Sequence, residues 1–333
     1  MKKIYTIIAA VLFFTNAIAQ TIKDHTQLMQ MEIPNSNAVG NWQEVGPFNT
    51  DRGMGRVNCI AFIDADTWLV GTAGGGLWKT DVAGVYLPNV PPYDKPWTPL
   101  TDKTAAAAVS GIAVKPSAPN KIYILTGDGD RKYEYLGMGD YIYDDNIIPG
   151  AGLLKTADGG ATWSETALQD TDYTVGHKLV MNPTNANRMY AATDKGLFIT
   201  GDGWATKSVR LAGQNIWDIE IHPTNANIIY ISTDTAVYKS TDGLVTEPQQ
   251  VSYSFGFNGA DRISIAVCPA APDNLYVASS NEIQGFAGLD VSTNKGSSFI
   301  NLNNGYLNNI LGGSDGLYYK YQEGSPHYNF AFA

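Results

Sequence analysis

The densest group of chemistry-bearing side chains lies between Asp128 and Gly150, where Asp128, Asp130 and Glu134 alternate with Arg131, Tyr133, Tyr135, Tyr141 and Tyr143. Aromatic rings stack on pyranose faces and carboxylates accept hydroxyl protons, so this composition suits a sugar ligand. Asp128 and Asp130 are the local candidates for the two carboxyl groups that hydrolysis of a glycosidic bond requires. Asp128, Asp130 and Glu134 also offer hard oxygen ligands to Ca²⁺, but their spacing lacks the other ligands of a known calcium loop, so no cofactor is expected. A Tyr-rich loop serves equally to pack on a neighbouring sheet. His177, His222 and His327 stand singly with no two at metal-ligand spacing, and no metal centre is expected. Gly312-Gly313-Ser314-Asp315-Gly316 fits Gly-x-Ser-x-Gly, but an Asn-rich stretch precedes it where a nucleophile elbow needs a strand, and no helical pattern follows.

A repeat positions these groups. Pro183-Thr184-Asn185-Ala186-Asn187 recurs as Pro223-Thr224-Asn225-Ala226-Asn227, an offset of 40 residues (223 minus 183). Each copy sits between apolar runs, Leu179-Val180-Met181 and Met189-Tyr190-Ala191 in the first, which reads as strand, turn, strand. Pro fixes φ and Asn tolerates left-handed backbone, as such a turn needs. The unit extends to Val114-Lys115-Pro116 and to Val267-Cys268-Pro269, and Val57 to Val70 is a version without Pro. Pro223 to Pro269 is 46 residues; Pro116 to Pro183 is 67, or 46 once the 21 residues from 130 to 150 are set aside as an insertion. A third strand follows each pair, as in Gly76-Leu77-Trp78-Lys79 and Gly196-Leu197-Phe198-Ile199, and then a polar turn and a short fourth strand.

A period of about 40 to 46 with four strands predicts an all-β fold, a β-propeller of four-stranded antiparallel blades. Five units are complete and a sixth opens at Tyr328-Asn329-Phe330-Ala331-Phe332-Ala333, so the expectation is an incomplete ring, a fragment of a propeller of seven or more blades. Trp42-Gln43-Glu44-Val45 matches the fourth strands and is expected to complete the last blade; the alternative is a six-unit protein with an exposed strand edge. In a propeller the ligand face is made by the starts of the innermost strands and by the connections between second and third strands. That rule selects Arg52, Arg56, His177, Trp217 and Arg262, together with Asp128, Asp130, Arg131, Tyr133 and Tyr143 of the insertion.

The polar turn of the second unit, Thr156-Ala157-Asp158-Gly159-Gly160-Ala161-Thr162-Trp163, resembles the Asp box (Ser/Thr-x-Asp-x-Gly-x-Thr-Trp) of BNR-type and sortilin-like propellers. Weaker copies carry Asp202, Asp242 and Asn294. The resemblance assigns Thr156, Asp158, Gly160, Trp163, Asp202, Asp242 and Asn294 to scaffold: the carboxylate accepts turn N–H groups, Gly supplies a positive φ and the aromatic plugs the gap between sheets. From Trp42 to Ala333 the chain is similar to the N-terminal propeller of secreted bacterial sortilin-like proteins, including relatives of the family-74 glycoside hydrolases. Asn41-Trp42-Gln43-Glu44-Val45-Gly46-Pro47-Phe48 is similar to the opening of large Bacteroidetes exoproteins. Family-74 enzymes commonly carry their first catalytic acid in a motif like Arg-Thr-Asp-x-Gly-Gly at a strand end. The corresponding segment here is Gly71-Thr72-Ala73-Gly74-Gly75-Gly76, and Ala73 cannot act as a base. Sialidase chemistry fits no better, with no Arg-Ile-Pro segment and six Arg in all.

At the N-terminus, Lys2 and Lys3 precede an apolar run from Ile4 to Phe14 and Ala17-Ile18-Ala19, which reads as an export signal over residues 1–19. The run is shorter than the roughly 20 apolar residues that span a bilayer, so no membrane span is expected. A leader (20–40) and the propeller (41–333) would follow. Removing residues 1–19 takes two Lys and no acids, moving the formal charge from −10 to −12. So acidic a chain lacks the clustered cations that nucleic acid requires. Cys59 and Cys268 lie in separate strands and read as small buried hydrophobes. The sequence thus points to an exported module binding an extracellular glycan or protein, alongside further modules such as a second propeller. The alternative is a family-74-like hydrolase domain with displaced carboxylates.

Overall fold

The computed structural model describes residues 56–82, 97–129, 132–135, 141–144, 147–251, 262–281 and 285–302, with backbone alone at 132–135, 141–144, 281, 285 and 286. Residues 1–19, Trp42–Val45, Gly312–Gly316 and Tyr328–Ala333 lie outside them. No helix occurs among the described residues. None is long and apolar enough to cross a membrane.

Five four-stranded antiparallel sheets follow one another along the chain. The first holds β1 (Val57–Phe62), β2 (Trp68–Thr72), β3 (Leu77–Thr80) and β4 (Thr98–Pro99). The second holds β5 (Val109–Val114), β6 (Ile122–Thr126), β9 (Leu153–Thr156) and β10 (Ser164–Glu165). Between β6 and β9 the insertion forms its own hairpin, β7 (Lys132–Tyr135) and β8 (Tyr141–Asp144), with Tyr133 opposite Tyr143 in register. The third sheet holds β11 (Gly176–Asn182), β12 (Asn185–Thr193), β13 (Gly196–Thr200) and β14 (Ser208–Arg210). The fourth holds β15 (Ile216–Ile221), β16 (Ile229–Thr233), β17 (Val237–Ser240) and β18 (Gln249–Gln250). The fifth holds β19 (Arg262–Cys268), β20 (Ala271–Asn281), β21 (Gly285–Ser292) and β22 (Ile300–Asn301).

The repeated turn explains the first hairpin of the third and fourth sheets. The Asn182 side chain accepts the N–H groups of Thr184 (2.9 Å) and Asn185 (3.1 Å), closing the turn around Pro183. One period later His222 stands in its place, and its Nδ1 accepts the Thr224 N–H at 3.2 Å. Successive sheets then stack face to face through apolar clusters, because a strand pair with apolar residues on both faces must cover both. Leu69 and Leu77 of the first sheet meet Ile122 and Ile124 of the second. Tyr123, Leu125 and Leu153 meet Leu179, Met189 and Phe198 of the third. Tyr190 and Leu197 meet Ile219 and Ile231 of the fourth, and Tyr230 and Val237 meet Ile265 and Val277 of the fifth. Radial stacking of this kind is the blade arrangement of a propeller. Cys59 and Cys268 are both free thiols. Burial raises Cys59 to about 12 against the pull of the Gly71 N–H, so it stays protonated.

A β-bulge recurs at the start of the innermost strand of the first four sheets, between Val57 and Cys59, Val109 and Gly111, Gly176 and Lys178, and Ile216 and Asp218. Bulges leave one residue unpaired and re-aim its side chain. The residues released are Asn58, Ser110, His177 and Trp217.

Candidate functional site

Antiparallel order puts the starts of innermost strands and the second-to-third connections at one end of every sheet, and the third-to-fourth turns at the other. At the first end, contacts between neighbouring blades join residues 56 to 262 into one row. Arg56, just before β1, donates to Asp128 Oδ1 of the second blade at 2.6 Å. Asp128 is 9% exposed and is pinned through its backbone, exchanging two 2.9 Å bonds with Ile148 at the neck of the insertion. Beside it Gly129 is required by close approach, since a Cβ there would lie 2.6 Å from Val175 Cγ2 and 3.1 Å from His177 Cε1. His177 stacks on Trp217 with ring centroids 4.2 Å apart and planes tilted by 43°. Arg262 of the fifth blade lies 4.7 Å from the same indole centroid, a cation–π distance. Trp217 is therefore flanked from both neighbouring blades, which makes it a rigid wall of the row.

Polar bonds lock these rings. Asp234 Oδ1 accepts the Trp217 indole N–H at 2.6 Å and the Asn215 Nδ2 at 2.9 Å. Because a carboxylate at this position accepts, Asn215 must present its amide oxygen to His177 Nε2, 2.9 Å away, and that nitrogen carries the proton. Asp234 thus orients Asn215, and Asn215 orients His177.

The structure brings together Arg56, Asp128, His177, Trp217 and Arg262. Arg52, Asp130 and Arg131 lie outside the described residues, as do the side chains of Tyr133, Glu134 and Tyr143. No group of three His, Cys, Asp or Glu able to hold a metal occurs among the described residues. Ala73 directly follows β2 at the same end of its sheet, and its N–H bonds the Arg56 carbonyl at 2.9 Å.

Asp234 and Asn215 escaped the sequence reading, although a signal existed. The last residue of the second strand is Thr72, Thr126, Thr193 and Thr233 in the first four blades, and each hydroxyl donates to the carbonyl that opens the third strand, at 3.0, 2.6, 2.8 and 3.2 Å. The residue after that Thr is Ala73, Gly127, Asp194 and Asp234. Thr193-Asp194 and Thr233-Asp234 are thus a second repeat at the 40-residue offset. Asp194 accepts the N–H groups of Thr174 (2.8 Å) and Val175 (3.1 Å). Burial pushes its carboxyl up, but those bonds outweigh the burial and hold it below the usual range.

At the opposite end, Thr156 Oγ1 donates to Asp158 Oδ1 at 2.7 Å, Asp158 accepts Thr162 N and Oγ1 at 2.9 and 2.6 Å, and Gly159 and Gly160 take φ of 75° and 99°. Trp163 donates its indole N–H to Leu100 O of the first blade at 2.9 Å. Asp202 and Asp242 repeat the pattern, and Asn294 does so with an amide, accepting Ser292 Oγ, Ser297 N and Ser298 N. Hydroxyl donors Thr162, Thr206 and Thr246 lead the causes that pull Asp158, Asp202 and Asp242 from the ordinary 3.8 to about 2. Carboxylates so saturated with donors are scaffold, not proton shuttles.

No family model matches the chain. Over 152 residues it is 28% identical to a xyloglucanase of Hypocrea jecorina, a match that covers 41% of this chain and 16% of that enzyme. An ancestral GH74 enzyme superposes with a TM-score of 0.56 at 17% identity, over 78% of this chain and 32% of its own. A GH74 enzyme of Niastella koreensis gives 0.51 at 21% identity, over 74% and 37%. The chain therefore spans about a sixth of the relative and about a third of the solved enzymes that it matches. What these likenesses show is the fold: the five sheets are consecutive blades of a β-propeller, as in GH74 enzymes.

Proposed function

We propose that the chain is an exported propeller module that binds an extracellular polysaccharide along the row from Arg56 to Arg262. The row carries the reading: five blades contribute ordered polar, cationic and aromatic groups to one end of the stack, next to the Tyr-bearing insertion between β6 and β9. Side chains held by neighbours on both sides are preorganised, so little freedom is lost when a ligand docks. The export signal expected over residues 1–19 supplies the route out of the cell.

A second reading, a GH74-like hydrolase domain, is favoured by the identity shared with the xyloglucanase. Against it stand Ala73 at the expected acid and the engagement of Asp128 with Arg56, which suits an electrostatic role better than proton donation.

Titration of the full chain with soluble xyloglucan and other polysaccharides, with reducing-sugar release followed in parallel, separates the readings. Binding without release, weakened about tenfold or more by Trp217→Ala, is expected from loss of a central aromatic. Release that disappears in Asp128→Asn would establish the hydrolase. No binding to any glycan on an array would discard the polysaccharide reading.

A further inference from the structure

We infer that Asp218, a buried residue beneath the row, is the positioning residue that sets the spacing of His177, Trp217 and Arg262. Asp218 is 6% exposed, and its two carboxylate oxygens reach three blades. Oδ1 accepts Lys178 Nζ of β11 at 2.7 Å and the N–H of Ile219, its own neighbour, at 2.8 Å. Oδ2 accepts Ser264 Oγ and Ile265 N of β19, both at 2.9 Å. Lys178 directly follows His177, Asp218 directly follows Trp217, and Ser264 is two residues after Arg262. His177, Trp217 and Arg262 are thus each one or two residues from an atom that Asp218 holds.

The bulges make this coupling necessary. Gly176/Lys178 and Ile216/Asp218 flank the two unpaired residues, so the ladder does not fix where His177 and Trp217 point. Asp234 and Asn215 orient the rings, the first bonds after each bulge set how far apart the strands that carry them lie, and the Lys178–Asp218 bond ties the two strands together. Glu220 also accepts Lys178 Nζ, at 2.7 Å, but it has no bond to the fifth blade among those described. Burial lowers the Lys178 ammonium, yet Asp218 and Glu220 outweigh that and keep it charged well beyond neutral pH. A three-blade carboxylate staple of this kind fixes geometry more than it adds stability.

The inference rests on the proposed binding row, and its first readout needs no ligand. The full chain labelled with 5-fluorotryptophan gives a ¹⁹F resonance for Trp217, assigned by its loss in Trp217→Phe. Asp218→Asn and Ser264→Ala are expected to shift or split that resonance while those of Trp163 and Trp204 stay in place, and to weaken polysaccharide binding about tenfold, the effect of one misplaced contact. An unmoved Trp217 resonance in folded Asp218→Asn overturns the inference, as does an equal shift in Glu220→Gln. Should Asp218→Asn fail to fold, Ser264→Ala decides alone, by the same criterion. A shifted resonance in a protein that binds no polysaccharide leaves the staple intact and discards the binding reading; binding that ignores a shifted Trp217 also leaves the staple intact and removes the row from the binding site.

Discussion

At the turn end of the blades, each box carboxylate finds its partners within four residues, as Asp202 does with Thr200 and Thr206. At the loop end, the bonds that define the row join residues 38 to 72 apart: His177 to Asn215, Lys178 to Asp218, Ser264 to Asp218 and Arg56 to Asp128. The two ends therefore fail differently. The carboxylate bonds of a box can form within one hairpin, whereas the row exists only once blades are stacked, and a change in one blade moves side chains in the next. Scaffold sits where chain entropy is cheapest to overcome, and the adjustable geometry sits where distant segments meet.

The sharpest way to break this contrast is Trp204→Ala. Trp204 is fully buried against the second and third blades although it belongs to a box turn, and it holds a φ of 65°. Losing it removes a large box side chain that packs across blades, and urea unfolding should show a loss of about 3–5 kcal/mol.

Next in size, Asp234→Ala leaves the Trp217 indole N–H and the Asn215 amide without their acceptor. A loss of about 1–3 kcal/mol is expected, with faster amide exchange at the starts of β11 and β15 and none at the box turns. Gly213→Ala, at φ 78° with no atom within 4 Å of the added Cβ, isolates backbone strain and should cost about 1 kcal/mol. Gly160→Ala adds to a φ of 99° a contact of 2.8 Å with Leu100 Cδ1 of the neighbouring blade, so its thermal midpoint should fall further than that of Gly213→Ala.

The smallest effect is expected from Asp242→Asn, because Asn294 already serves the same turn in the fifth blade. The folded carboxyl of Asp242 titrates at about 2, below its ordinary 3.8, so its contribution is complete above about pH 4 and is lost as pH falls toward 2. Thermal midpoints of the two proteins, separated slightly at pH 6, should converge over that interval. A gap that persists at pH 2 would show that the carboxylate is not what holds the turn.

Much of this was legible beforehand. The Pro-Thr-Asn-Ala-Asn pair at 40 residues located the first hairpins of the third and fourth blades, since strand alternation and turn chemistry are properties of short windows. The insertion at 130–150 was also recognisable as an interruption of the period, and its hairpin follows from that only in outline. Arg56, Asp128, His177, Trp217 and Arg262 were selected by topology and do meet. The bonds among them were not foreseen: Asp234 and Asn215 had only the weak Thr-Asp repeat to announce them, and Asp218 looked like one polar residue in an apolar strand.

The sequence alone determined the number of strands per blade, the turns that join them and which carboxylates are spent on those turns, because each depends on neighbours within a few residues. Tertiary structure alone decided that a bulge frees His177 and Trp217, that Arg262 reaches Trp217 and that Asp218 ties three blades. Those outcomes depend on distances between strands some 40 residues apart, which are fixed by how apolar faces pack and carry no trace in local composition.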